Sequence, residues 1–289
     1  MHLLVLSKVS FPATKRYLPD WEQMRALGHE VSLNEATSKP DAIICMSVSV
    51  MEETWVALAK WPGVPLFCYN WDCYSWVWTR PRQGEYDYHR YGDLLRHAAE
   101  IWVPSDCTGQ QTSLWWSLFN WKTIHSICPA WDYEYVRDDG FVLCPLRRLP
   151  DHWCTTFEAA CKELNIPYKM TDHGLKWPAY QDMVASCRFL VSHFQEASTG
   201  GLTLLEGYSL GKPVFISDSR WNGAGEYFGN RGNYFRHGDF DHFKCMLELM
   251  YRSPRPMPDD HRQWVRDTFS DQRMVKDIEE RIHAHLGTA

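Results

Sequence analysis

The 289-residue sequence has no apolar run long enough to cross a bilayer, and its first, residues 3–6, is far too short for the core of a secretory leader. A cytoplasmic protein is the expectation. No C-x-x-C pair occurs among the ten cysteines, which excludes the common thioredoxin-type and zinc-ribbon patterns. Cys45, Cys68, Cys144 and Cys187 instead lie inside apolar strand-like runs, where a thiol acts as a small hydrophobe, so the cysteines read as reduced and structural. The thirteen histidines include no H-E-x-x-H, and His283 and His285 are spaced to fall on different faces of a terminal helix. No metal site is expected on that basis. No glycine occurs in Ser7-Lys-Val-Ser-Phe-Pro12, after the first strand-like run, so the G-x-G-x-x-G of nicotinamide enzymes is missing and a dinucleotide-dependent oxidoreductase is disfavoured. A net charge of -6 argues against a broad basic surface for holding nucleic acid.

What is present is a globular composition, 45% hydrophobic and 23% charged, with 15 tryptophans. Short apolar runs alternate with helical patterns, the signature of a parallel sheet covered by helices. In the N-terminal half, strands are expected at 3–6, 29–33, 42–46, 66–69 and 101–103, and helices at 19–27, 52–60 and 91–99. Gly28 ends the first helix. A second cycle follows, with strands at 141–144, 168–171, 189–192 and 213–216 and helices at 155–164, 179–186 and 203–210. The tail carries an apolar stripe of Met274, Val275, Ile278, Ile282 and Leu286, stopped by Gly287. The expected division is therefore 1–135, 136–258 and a helical tail, 259–289, packed back on the first domain.

Residues 71–91 break the alternation, being rich in Trp, Tyr, Arg and Gly without a clean period. Such a stretch is either an active-site loop facing an acceptor or a surface excursion pinned by aromatics. Trp71, Trp76 and Trp78, with Arg80, Arg82, Arg90 and Arg96, interleave flat faces with cationic forks, which suits sugars and nucleobases alike.

The most informative stretch runs from Ser198 to Ser217. Gly200 and Gly201 stand at the start of a helix, where a backbone without Cβ atoms can approach a phosphate and the free N–H groups favour negative charge. Glu206 lies one turn further in, where a carboxylate can accept from ribose hydroxyls. Gly211 ends the helix and Pro213 opens a buried strand. Singly, a glycine pair is ordinary turn chemistry and a helical glutamate is usually solvated; their joint spacing with the Gly-Lys-Pro-Val strand is what carries weight.

In that spacing the sequence resembles the retaining GT-B glycosyltransferases of the family-four type. Gly200, Gly201, Glu206, Gly211, Pro213 and Val214 match the family's donor-domain pattern. Leu27-Gly-His-Glu-Val31, the strand ending near Arg147 and Arg148, Gly223-Ala-Gly-Glu226, Gly232-Asn, Gly238-Asp239 and Thr268-Phe-Ser-Asp271 extend the likeness. It is good from 141 to 239 and weak in the N-terminal half. The resemblance implies an α/β, GT-B architecture of two Rossmann-like domains facing a central cleft, and metal-independent transfer of a sugar from a nucleotide-sugar such as a UDP-sugar, with no cofactor. Donor binding would fall to Arg147, Arg148, His173, Thr199, Gly200, Gly201, Leu202, Thr203 and Glu206. Arg148, Glu196, Ser198 and Asp72 would serve catalysis, and Trp71, Asp72, Trp76, Trp78, Arg80 and Arg82 the acceptor. Three positions depart from the pattern: the first glutamate of the pair falls on Ser198, the lysine after the arginine is missing, leaving Arg147, Arg148 and His152 nearby, and the usual His-Asp appears as Trp71-Asp72. The acceptor is open among a glycan, a small molecule and a hydroxymethylated base in phage-type DNA. A GT-B protein that binds a nucleotide or glycan without transferring it is the alternative that Ser198 permits.

Overall fold

The computed structural model describes residues 1–8, 18–71, 88–128, 131, 133–145, 151–171, 175–192 and 201–287. The chain divides into two compact units, Met1–Ile127 with Thr268–Ala289, and Cys128–Asp267. The boundary thus falls at 127/128 rather than 135/136, and residues 259–267 stay with the second unit while those from Thr268 join the first.

The first unit is built on a parallel six-stranded sheet in the order β2-β1-β3-β4-β5-β6. Its strands are β1 (His2–Leu6), β2 (Glu30–Leu33), β3 (Ala42–Cys45), β4 (Leu66–Tyr69), β5 (Ala98–Val103) and β6 (Trp121–Thr123). Strands β1, β3 and β4 are buried throughout, because helices cover both faces and the sequence supplies unbroken apolar runs there. Alternate residues serve opposite faces. Leu4, Leu6, Ile43, Cys45, Leu66 and Cys68 pack with Tyr91, Leu94 and Leu95 of α3 (Tyr88–His97). Leu3, Val5, Ala42, Ile44, Phe67 and Tyr69 pack with Met24 of α1 (Trp21–Ala26) and with the tail helix α11 (Asp271–Leu286).

That helix presents Met274, Val275, Ile278 and Ile282, all buried, at about 1.5–3 kcal/mol of transfer free energy each. Ser270 caps it, accepting from the Arg273 N–H at 3.2 Å, and Gly287 closes it in the left-handed region at φ 67°. Asp271 accepts from the Asp20 N–H at 2.8 Å, and Arg281 pairs with Glu100, tying the tail to both edges of α1 and β5. Between β3 and β4 runs α2 (Met51–Lys60), and α4 (Asp106–Trp116) leads into β6.

The second unit has a parallel five-stranded sheet in the order β11-β10-β9-β7-β8. The strands are β7 (Val142–Cys144), β8 (Tyr168–Met170), β9 (Phe189–Val191), β10 (Val214–Ser217) and β11 (Asn233–Phe235). Its helices in chain order are α5 (Asp151–Glu163), α6 (Trp177–Ser186), α7 (Leu202–Ser209), α8 (Gly223–Phe228), α9 (Phe240–Arg252) and α10 (His261–Thr268). Phe157, Phe189, Phe215, Phe235, Phe243 and Leu247 form one core, with Phe215 stacked on Phe243 at 5.6 Å.

Numbered within each unit, both sheets begin with the order 2-1-3-4-5. The strand order therefore reverses between β1 and β3 in the first unit and between β7 and β9 in the second. Crevices for ligands open beyond the carboxyl ends of the strands at such reversals. Among the described residues no helix is long and apolar enough to cross a membrane, and eight cysteines are free thiols, seven of them buried.

Candidate functional site

In the second unit the chain leaves β9 and re-enters helix α7 at Gly201, whose φ of 65° and ψ of 59° lie in the left-handed region. A side chain is disfavoured there on two counts, since a Cβ would also come within 3.1 Å of Leu204 Cδ1. Gly201 O accepts from the Leu204 N–H at 2.8 Å and the Leu205 N–H at 3.3 Å, which closes the first turn. The N–H groups of Leu202 and Thr203 precede any helical carbonyl and point out of the helix start. No acidic side chain occupies this first turn and none caps it. Among the described residues, then, no negative charge meets the positive end of this helix's dipole.

One turn in, Glu206 is fully buried. Tyr180 of α6 donates its hydroxyl to Glu206 Oε2 at 3.0 Å. The Glu206 backbone carbonyl accepts from Ser209 Oγ at 2.7 Å, and Ser209 Oγ in turn accepts from the Trp131 N–H at 3.1 Å. Trp131, Trp177 and Tyr180 form an aromatic cluster: Trp131 meets Trp177 edge-on at 5.0 Å and Tyr180 at 5.8 Å. Burial, reinforced by the charge of Glu206, pushes the Cys128 thiol well above its ordinary pKa, so Cys128 stays protonated and donates to Leu202 O at 3.8 Å. The sequence reading missed Trp131, Trp177 and Tyr180. The Trp177-Pro-Ala-Tyr180 start of α6, with a proline in its first turn, was the available signal.

At the carboxyl ends of β9 and β10 a second polar group is packed. Ser192 Oγ accepts from the Ser217 N–H at 3.1 Å, Ser217 Oγ lies 3.1 Å from His237 Nδ1, and Asn222 Nδ2 donates to Ser217 O at 3.2 Å. Gly223 opens α8 behind the Asn222 cap, and Asp239, after Gly238 at φ 75°, caps α9.

Of the donor-side candidates, Gly201, Leu202, Thr203 and Glu206 lie among the described residues and come together on α7. Arg147, Arg148, His173, Glu196, Ser198, Thr199 and Gly200 lie outside them. The segments that carry Arg147 and Arg148 and that carry Glu196 to Gly200 follow β7 and β9, which are hydrogen-bonded neighbours across the reversal of strand order.

In the first unit, Trp71 is half-buried, donates Nε1–H to Met46 O and leans on Tyr69 at 4.7 Å. Tyr69 donates to Ile124 O at 2.7 Å, and Asn70 donates Nδ2–H to Thr112 Oγ1 at 2.9 Å, so the end of β4 is firmly held. Asp72, Trp76, Trp78, Arg80 and Arg82 lie outside the described residues. Arg90 pairs with Glu52 at 2.7 Å and Arg96 with Asp93 at 2.5 Å, both on the helix surface.

No family model matches the sequence, and no curated protein does so either. Solved structures match over nearly the whole chain. Sucrose-phosphate synthase from Thermosynechococcus elongatus superimposes with a TM-score of 0.69 at 11% identity, covering 100% of both chains. Anabaena HepE, in complex with UDP and glucose, gives 0.65 at 12% identity over 98% of this chain and 100% of its own. S. aureus TarM gives 0.61 at 10% identity over 83% of this chain, which spans 54% of the TarM chain. These neighbours are GT-B glycosyltransferases, and the fold of this chain is theirs.

Proposed function

We propose that the protein is a glycosyltransferase that moves a sugar from a nucleotide-sugar, such as a UDP-sugar, to a hydroxyl acceptor. The observation that carries the reading is Glu206, a fully buried carboxylate one turn inside a helix that starts at a left-handed glycine beside the strand reversal. HepE, with this fold, is described in complex with UDP-glucose. On this reading Glu206, oriented by Tyr180, accepts from the ribose hydroxyls, and the aromatic cluster of Trp131, Trp177 and Tyr180 walls the nucleoside end.

Breaking the anomeric bond leaves charge on the diphosphate, which needs aligned donors and a cation. The N–H groups of Leu202 and Thr203 supply the donors, with Thr199 and Gly200 completing the loop, and Arg147 or Arg148 and His173 supply charge. Glu196 or Ser198 would contact the transferred sugar with retention of configuration, and Asp72 would orient the acceptor hydroxyl. No metal is assigned to the reaction: in the chain's Asp-x-Asp, Asp239-Phe240-Asp241, Asp239 caps α9, accepting from the His242 N–H at 2.9 Å. Trp71, Trp76, Trp78, Arg80 and Arg82 form the proposed acceptor wall. The net charge of -6 favours a glycan or small molecule there over a hydroxymethylated base in DNA.

The test is a binding and transfer screen over UDP, GDP, ADP and TDP sugars, with saccharide and 5-hydroxymethyl-pyrimidine DNA acceptors and with EDTA in one arm. Glu206→Ala is expected to weaken donor binding by on the order of 1–3 kcal/mol in calorimetry. Unchanged affinity would remove Glu206 from the site, complete loss of transfer in EDTA would overturn metal independence, and donor binding without transfer would make the protein a binder.

A further inference from the structure

By their spacing His283 and His285 fall on different faces of the tail helix and make no metal pair. The fold sets His283 beside different partners. Glu279 and His283 stand four residues apart on the tail helix Asp271–Leu286, and so share one side of it. His29 reaches them from the turn between Gly28 and β2, 250 positions away in sequence. His29 Nε2 lies 2.8 Å from Glu279 Oε1, and His283 Nε2 lies 3.9 Å from the same oxygen. The three ligand atoms all fall within 4.8 Å of one another, and the two imidazole rings are tilted at 53° with centroids 5.7 Å apart.

We propose that His29, Glu279 and His283 form a binding site for a divalent transition-metal ion, zinc by ligand type, that staples the tail helix to the first unit. Two imidazoles and one carboxylate are a borderline ligand set suited to zinc, with water completing four-coordination. Ligand atoms about 2.0–2.2 Å from a tetrahedral zinc sit about 3.3 Å apart, so side-chain rotations alone bring the three into place. The support is already rigid. Val275, Ile278 and Ile282 anchor the helix on the sheet, and the side chains of His29 and Glu279 are only 7% and 23% exposed. The His283 side chain, 27% exposed, leaves the ion an entry. His29 Nδ1, 3.4 Å from the amino-terminal nitrogen, carries the remaining ring contact. The site is independent of the sugar-transfer reading, because none of its residues belongs to that chemistry.

The experiment uses the full-length protein stripped with chelator, titrated with zinc alone by calorimetry and followed by thermal unfolding. One zinc per chain and a higher melting temperature are expected. His29→Ala and His283→Ala should each lower the affinity by at least about tenfold and abolish the melting shift. His285→Ala should change neither, since that ring packs against Phe67 instead. Cobalt in place of zinc should give visible absorption bands of tetrahedral intensity that vanish in His283→Ala. That variant also keeps the test valid if His29→Ala fails to fold, as His283 is the most exposed of the three. Absence of zinc binding to the wild type, or equal affinity and equal melting shift in His283→Ala, would overturn the proposal.

Discussion

The two units wind their sheets in the same order yet treat the helix beyond the third strand in opposite ways. In the first unit that helix is Met51–Lys60, whose first turn carries Glu52 and Glu53. These carboxylates place negative charge at the helix start, Glu52 pairing with Arg90 at 2.7 Å, and disfavour a phosphate there. In the second unit it is Leu202–Ser209, led by Gly201, with no acid in the first turn and its one carboxylate, Glu206, buried a turn deeper. One winding thus yields one helix start that carries two acids in its first turn and one that carries none. That difference, rather than the fold as such, favours assigning the nucleotide-sugar to the second unit.

The sharpest way to break the contrast is to make the second helix like the first. Gly201→Asp adds a carboxylate and a Cβ at a left-handed position and is expected to reduce nucleotide-sugar affinity by about 2 kcal/mol, roughly thirtyfold, in calorimetry. Circular dichroism should show the fold retained, and undiminished affinity would mean that the anion sits elsewhere. Tyr180→Phe removes the hydroxyl that orients Glu206 and should cost about 1 kcal/mol of donor affinity. An effect as large as that of Glu206→Ala would mean the tyrosine, not the carboxylate, meets the nucleotide. The reverse exchange, Glu52→Gln with Glu53→Gln, should leave donor affinity unchanged while lowering unfolding stability by a few tenths to about 1 kcal/mol. A gain in nucleotide binding in that variant would undo the comparison from the other side.

Strands whose residues are buried on both faces were legible because nothing polar interrupts them: β1, β3, β4, β9 and β10 all lie within a residue or two of the expected ranges. Helix Asp106–Trp116 was not, because its buried face is Thr108, Gln111 and Thr112 rather than an apolar stripe. Its hydroxyls satisfy themselves on the preceding turn, Thr112 Oγ1 donating to Thr108 O at 2.9 Å. Ser105, capping Thr108 N–H, was the one local cue. Residues 98 and 99 read as the end of a helix but begin β5, where pairing of Ala98 with Leu66 overrides alanine's helix propensity. The short edge strands β6 and β11 and the helices from 223 to 252 carried too little pattern to assign. In the site, Gly201 and Glu206 could be read because glycine and glutamate at that spacing serve a local need. Trp131 could not, since its part depends on contacts between distant segments, and for Tyr180 the proline at the start of its helix marks the element but not the contact with Glu206.

The return of the tail to the first unit bears on how the chain is made. Residues 128–267 form a continuous unit and can close as soon as they leave the ribosome. The first unit begins earlier but finishes last, because Leu3, Val5, Ile44 and Phe67 wait for Met274, Val275, Ile278 and Ile282 to cover them. For most of translation one face of its sheet is therefore only partly covered, by Trp21, Met24, Ile124 and Ile127, and a ribosome stalled before codon 271 would release a product whose N-terminal half lacks the rest of its core and is a substrate for chaperones.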